Sequence, residues 1–144
     1  MITYVDTSLL LKLLVEDEVG SEAAEQIWLT SDHLVCAEIG YAEARAALAS
    51  ARRGGRLDPP GLSVAKRQLE RLWEQVDVVA VRTHVVRAAG DLAEQEGLRG
   101  YDAVHLAAAL EVPATVLAAS DTQLLRAAQR RGLHIADLRS TPSP

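Results

Sequence analysis

The chain of 144 residues has no phenylalanine, one cysteine and one methionine. Two tryptophans and three tyrosines are its only aromatic side chains besides histidine, so alanine, leucine and valine must do the packing, which suits helices laid on a sheet. The lone Cys36 excludes an internal disulfide and a cysteine-based zinc site. It is expected to behave as a small buried hydrophobe and not as a nucleophile. No apolar run approaches the roughly 18 residues of a membrane span, and no charged-then-apolar leader opens the chain. The expectation is a soluble, cytoplasmic protein. A surplus of positive charge is missing as well. With 15 Lys and Arg against 20 Asp and Glu, the net charge is -5, which argues against coating nucleic acid by bulk electrostatics. Acidity does not exclude a nuclease, because carboxylates clustered at a metal site also make a chain acidic. Hydrophobic residues make up 49%, so residues 1–139 are expected to form a single domain, and only 140–144 a flexible tail.

Short apolar stretches alternate with longer helical ones. A β-branched and aromatic run predicts a strand over 2–5, with a helix from Ser8. A helix over 18–29, a turn at 30–32 and a strand over 34–36 follow. The Ala-rich segment 38–53 predicts a long helix stopped by Gly54 and Gly55. The stretch Asp58-Pro59-Pro60-Gly61 is expected to be a loop, with a helix over 63–73. Strands over 76–81, 115–118 and 134–136 alternate with helices over 83–95, 101–111 and 121–131. Alternation of this kind predicts an α/β fold with a parallel sheet covered on both faces.

Four acids stand out by position. Asp6 and Asp121 each end a strand, begin a helix and are followed by a hydroxyl residue. Asp102 opens a helix in GYDAVHLAAAL. Such junctions share one edge of a parallel sheet, where open α/β sheets build their sites. Each of the three is also an ordinary helix-start residue, favoured by the dipole and free N–H groups. Glu43 differs, since Ile39, Ala46 and Ala47 on its helix face are apolar or small, and a carboxylate beside a buried stripe is costly unless paired or metal-bound. Carboxylates that converge repel one another unless a hard cation neutralises them. Oxygen-only ligands suit Mg²⁺ or Mn²⁺ better than zinc. A cation so held polarises a phosphate and lowers the pKa of a bound water, the chemistry of phosphodiester hydrolysis.

The segments YVDTSLLLKLL, AEARAALA, GYDAVHLAAAL and VLAASDTQLLRAAQRRGL, in that order, resemble a PIN-domain ribonuclease. The similarity is greatest to the VapC-type toxins of VapBC toxin–antitoxin modules, and it extends from about residue 3 to residue 134. The resemblance implies a three-layer α/β/α sandwich around a parallel sheet of about five strands. It places Asp6, Glu43, Asp102 and Asp121 in an acidic Mg²⁺ site, with Thr7, Ser8 and Ser120 in support. It also implies RNA as substrate, a VapB-like antitoxin as partner, and a toxin homodimer. Glu38 competes with Glu43 for the helix position. Five helical residues turn through about 140°, so both cannot easily face one metal, and the expectation falls on Glu43.

Two other enzyme or switch classes fail on particular residues. A haloacid-dehalogenase-like phosphatase needs a second acid two residues after the first, where Ser8 stands. A response-regulator receiver wants an acid at the end of a central strand, and VDVVAVRT ends without one. A PIN fold that binds RNA or a partner without cutting remains as the alternative. His105, one turn after Asp102, is expected to be a packed core histidine. Trp28 is expected in the core or an antitoxin groove, and Tyr101 in packing or base stacking. Two arginine groups, one of Arg45, Arg52, Arg53 and Arg56 and one of Arg126, Arg130 and Arg131, are either solvated faces or phosphate contacts.

Overall fold

A computed structural model describes residues 1–15 and 19–139. The expected tail at 140–144 and part of the first turn of the expected helix at 18–29 lie outside them. The described residues form β1 (Ile2–Val5), α1 (Thr7–Leu14), α2 (Ser21–Thr30), β2 (His33–Ala37), α3 (Ile39–Arg53) and α4 (Pro59–Trp73). They continue with β3 (Val76–Val79), α5 (Thr83–Glu96), α6 (Gly100–Glu111), β4 (Val116–Ala119), α7 (Thr122–Arg130) and β5 (His134–Asp137). All strand pairs are parallel, in the order β3-β2-β1-β4-β5. None of these helices is long and apolar enough to cross a membrane.

Because strand side chains alternate between faces, each strand feeds two cores. Tyr4, Val35 and Leu117 pack with α5, α6 and α7. Val5, Leu34, Cys36 and Ala118 pack with α1, α3 and α4. The result is three layers, as expected. The largest displacement is the start of α4, four residues before the expected helix; β3 also ends at Val79 where a strand to 81 was expected, and α2 begins at Ser21. Asp58 caps α4 by accepting the Gly61 N–H at 2.7 Å, and Pro59 and Pro60 fill the first turn. Proline belongs there because its missing N–H would have no helical partner anyway and its φ is already helical. Turn-forming residues and helix-opening residues are chemically the same set, so the stretch looked like a loop.

The order places the topological switch at β1 and β4. From β1 the chain crosses to β2 on one side, and β4 returns to pair on the other. The crevice beyond the carboxyl ends of these two strands is where ligands bind in such sheets. Val5 pairs with Ala118, so the residues just after each strand share this edge.

Gly40, in the first turn of α3, sets how closely that helix lies on β2. A Cβ there would stand 2.5 Å from Cys36 Sγ and 3.5 Å from the Trp73 ring. Cys36 is fully buried, and burial pushes its thiol pKa up, so it packs as the expected hydrophobe. Gly40→Ala is predicted to destabilise by about 1–3 kcal/mol through overpacking, despite alanine's better helix propensity. Adding Cys36→Ala should return most of that loss in chemical denaturation. Equal stability of Gly40→Ala and wild type would show that this approach is not tight.

Candidate active site

Three of the four acids stand where helices begin at the switch edge. Asp6 directly follows β1 and caps α1, its Oδ2 accepting the Ser8 N–H at 3.3 Å and the Ser8 hydroxyl at 2.7 Å. Asp121 follows β4 and caps α7, its Oδ1 accepting the Leu124 N–H at 2.9 Å. Asp102 lies in the first turn of α6. Glu43 comes from α3, across β1, and its Oε1 accepts from the Thr7 hydroxyl at 3.0 Å and pairs with His105 Nε2 at 2.5 Å. The Ser8 hydroxyl joins the two strand ends, for it also accepts the Ser120 N–H at 3.2 Å. Capping and site geometry are therefore not rivals here. In Asp6, Asp121 and Glu43 one carboxylate oxygen is bound by a backbone N–H or a hydroxyl, while the second oxygen of Asp121 meets Arg99 and that of Asp6 faces His105.

The electrostatics follow from this crowding. The Asp102 carboxyl is held above its ordinary pKa, first by desolvation and then by the charges of Asp6 and Asp121, with Arg99 and His105 opposing. Arg99, the residue before α6, brings Nε to 3.6 Å from Asp102 Oδ2 and Nη2 to 3.4 Å from Asp121 Oδ2. Its side chain is 80% exposed, so solvent screens both contacts. His105 is buried, and its Nε2 lies 3.6 Å from Asp6 Oδ1. Burial alone would lower its pKa, but the Glu43 hydrogen bond and the charges of Asp6, Glu43 and Asp102 outweigh it, and the net direction is upward. The hydroxyl of Ser120 is buried without a hydrogen-bond partner, beside Asp121.

These residues fit a hard divalent cation by donor type, by the repulsion such an ion would relieve and by the unpartnered Ser120 hydroxyl. Among the described residues no three His, Cys, Asp or Glu side chains stand close enough together to hold a metal ion as they are placed. Arg99 and His105, two positive or hydrogen-donating groups, share the space between the carboxylates. A separate cavity of about 480 Å³ between α1, α2 and α4, lined by Leu13, Trp28, Leu29 and Leu72, contains none of the four acids. Chemistry, and not cavity size, locates the site.

Glu38 stands apart from it. The residue precedes α3, and its Oε1 accepts the Val81 N–H at 3.0 Å. Trp28 is nearly buried and donates its indole N–H to Gln75 Oε1 at 3.1 Å. Tyr101, beside Asp102, is 67% exposed. Neither arginine group flagged in sequence supplies the cations recorded next to the acids. Arg130 and Arg131 are bound to Glu96 at 2.6 and 3.0 Å, and Arg45 lies over the Tyr41 ring. Arg99 and Arg139 are the cations beside Asp121 and the start of α7. His105 is the packed histidine expected, yet it also touches the site. Its signal was the three-residue spacing from Asp102, one turn on the same helix face. Tyr4 had a similar signal in its spacing of two from Asp6.

Residues 3–130 match the family model described as PIN domain. The chain is 38% identical over 143 residues to a protein named Ribonuclease VapC45 from Mycobacterium tuberculosis (strain CDC 1551 / Oshkosh), covering 98% of this chain and 99% of that one. In structure it is similar to Mycobacterium tuberculosis VapC20, described as a Sarcin-Ricin loop cleaving toxin. The TM-score is 0.71 at 18% identity, over 97% of this chain and 99% of that one. It is also similar to a chain of a toxin–antitoxin complex from Klebsiella pneumoniae, with a TM-score of 0.60 at 17% identity over 83% and 87%.

Like charges at the edge lead to a prediction that needs no substrate. Asp102→Asn removes a charge with almost no change of shape. In chelator, this variant should melt at the wild-type temperature or above it. Millimolar Mg²⁺ should raise the wild-type midpoint by mass action and the variant's much less. A variant destabilised in chelator, with an undiminished Mg²⁺ response, would return Asp102 to a helix-start role.

Proposed function

The chain belongs to the PIN domain family, and from that premise we propose that it is the toxin ribonuclease of a type II toxin–antitoxin module. Its reaction is the hydrolysis of RNA phosphodiester bonds, its partner a VapB-like antitoxin, and its place of action the cytoplasm. The observation that carries this reading is the edge beyond β1 and β4. Carboxylates from four elements meet there, and three of them keep one oxygen tied and one unbound by the backbone or a hydroxyl. Residues 1–139 act as one nuclease domain.

Asp6, Glu43, Asp102 and Asp121 are the residues that would hold Mg²⁺ or Mn²⁺. When bound, such an ion supplies charge neutralisation for the phosphate and a water of lowered pKa. The chain's own residues do the rest. The Ser8 hydroxyl fixes Asp6, and the Thr7 hydroxyl fixes Glu43. The repulsion around Asp102 is the strain the fold tolerates for the sake of that ion. Arg99, exposed at the rim, is placed to pair with an RNA phosphate, the kind of contact that sets register on a nucleic acid without reading sequence.

Purified protein freed of antitoxin is expected to cleave structured RNA, to stop in EDTA and to recover with Mg²⁺ or Mn²⁺. Cleavage that persists unchanged in chelator would overturn the metal-dependent mechanism. RNA bound but never cut, with the cation present, would favour a non-catalytic PIN-fold binding protein.

The two acids of the α3 region give a sharper comparison. Glu43→Gln should lower the cleavage rate by about 100-fold or more, since even outer partners of a metal cost up to that much. Glu38→Gln should change it little, because Glu38 only accepts a backbone N–H beside β3. The reverse ranking in single-turnover assays would exclude Glu43 as a ligand.

A further inference from the structure

A buried chain of hydrogen bonds runs from β2 to the acidic edge and is not used in the reaction described above. The Ala37 N–H donates to Tyr4 Oη at 3.0 Å. Tyr4 Oη stands 2.6 Å from His105 Nδ1. His105 Nε2 stands 2.5 Å from Glu43 Oε1. Tyr4 is wholly buried and His105 nearly so, and their rings meet edge-on at 5.7 Å.

The position of each hydrogen follows from the donor and acceptor inventory. The phenol oxygen already accepts from Ala37, and the one acceptor beside its own hydrogen is His105 Nδ1. An unpaired buried hydroxyl is costly, so Tyr4 donates and Nδ1 accepts. A neutral His105 must then carry its hydrogen on Nε2, facing Glu43. The opposite tautomer would put a bare nitrogen lone pair against two carboxylates, Glu43 at 2.5 Å and Asp6 at 3.6 Å.

We propose that Tyr4 and His105 are positioning residues that act through Glu43. Tyr4 fixes the His105 tautomer, and His105, together with Thr7, holds Glu43 by Oε1 so that Oε2 stays available for a divalent cation. Both donors fall on the same oxygen, which separates this arrangement from ordinary core packing. A group buried for packing alone would have no need to spare one oxygen of an acid at the site edge. The chain of contacts also ties β2, β1, α6 and α3 to one carboxylate, so the ligand is set by the sheet and not by a loop. This inference rests on the reading of Glu43 as a cation ligand.

The test uses the full chain and two readouts without RNA. Long-range proton–nitrogen NMR of ¹⁵N-labelled protein, with His105 assigned through His105→Gln, should show Nε2 bearing a hydrogen in wild type. In Tyr4→Phe the Nδ1 nitrogen, left without its donor, should move toward the shift of an unbonded ring nitrogen and lose its coupling to the phenol. Calorimetric titration with Mn²⁺ should show about a 10–100-fold loss of affinity in Tyr4→Phe and His105→Leu, as for other outer partners of a metal. His105→Gln keeps an N–H donor and should hold more of that affinity than His105→Leu at a matched thermal midpoint. A wild-type Nδ1–H tautomer, or wild-type Mn²⁺ affinity in His105→Leu, would overturn the proposal. Absence of RNA cleavage with the Mn²⁺ ranking intact would fail the ribonuclease reading alone. A wild-type chain that takes up no Mn²⁺ would overturn both.

Discussion

The parallel pairing of β1 with β4, Tyr4 opposite Leu117 and Val5 opposite Ala118, is the constraint from which the site follows. It carries Asp6 to the edge where Asp121 stands, though 114 residues separate them in the chain. A shift of this register by one residue would send Val5 to the wrong core and Tyr4 away from His105, since strand side chains alternate. Packing on both faces therefore fixes the register, and the register fixes the acids. The Asp6 N–H donates to Ala118 O at 3.1 Å, so the acid's own backbone closes the last rung of the ladder.

Within that frame the carboxylates serve fold and chemistry at once. Asp6 and Asp121 cap their helices with one oxygen, which satisfies N–H groups that would otherwise lack partners. The other oxygen of Asp121 meets Arg99, and that of Asp6 faces His105. Asp102 has no such cap bond and lies between the other two in charge, and its pKa is the one visibly raised.

Most of this was legible in the sequence for a physical reason. A run such as ITYV followed by Asp and a leucine-rich segment encodes strand, cap and helix in consecutive residues, and the same code recurs before Asp121. Helix geometry showed only that Glu43 and Glu38 cannot easily face one metal; the preference for Glu43 came from its apolar helix face and from the family resemblance. What was not legible depends on distant pairs. His105 gave only a buried histidine, because its partners Tyr4 and Glu43 lie 101 and 62 residues away. Arg99 had no periodic signal, being a single residue before a helix. The start of α4 was lost because proline opens helices as readily as it forms turns.

The strand order has a consequence for synthesis of the chain. β1 leaves the ribosome first, yet its partner β4 begins at Val116, so a central rung of the sheet cannot form until four-fifths of the protein exists. Pairings that span so much chain are slow to nucleate, and domains fold largely after their last essential segment emerges. Asp121 is among the last residues of the domain to appear. A chain stalled before β4 carries Asp6, Glu43 and Asp102 but lacks Asp121 and the strand that pairs with β1 on that side. The topology thus withholds the fourth acid and the central pairing of the sheet until the chain is nearly complete.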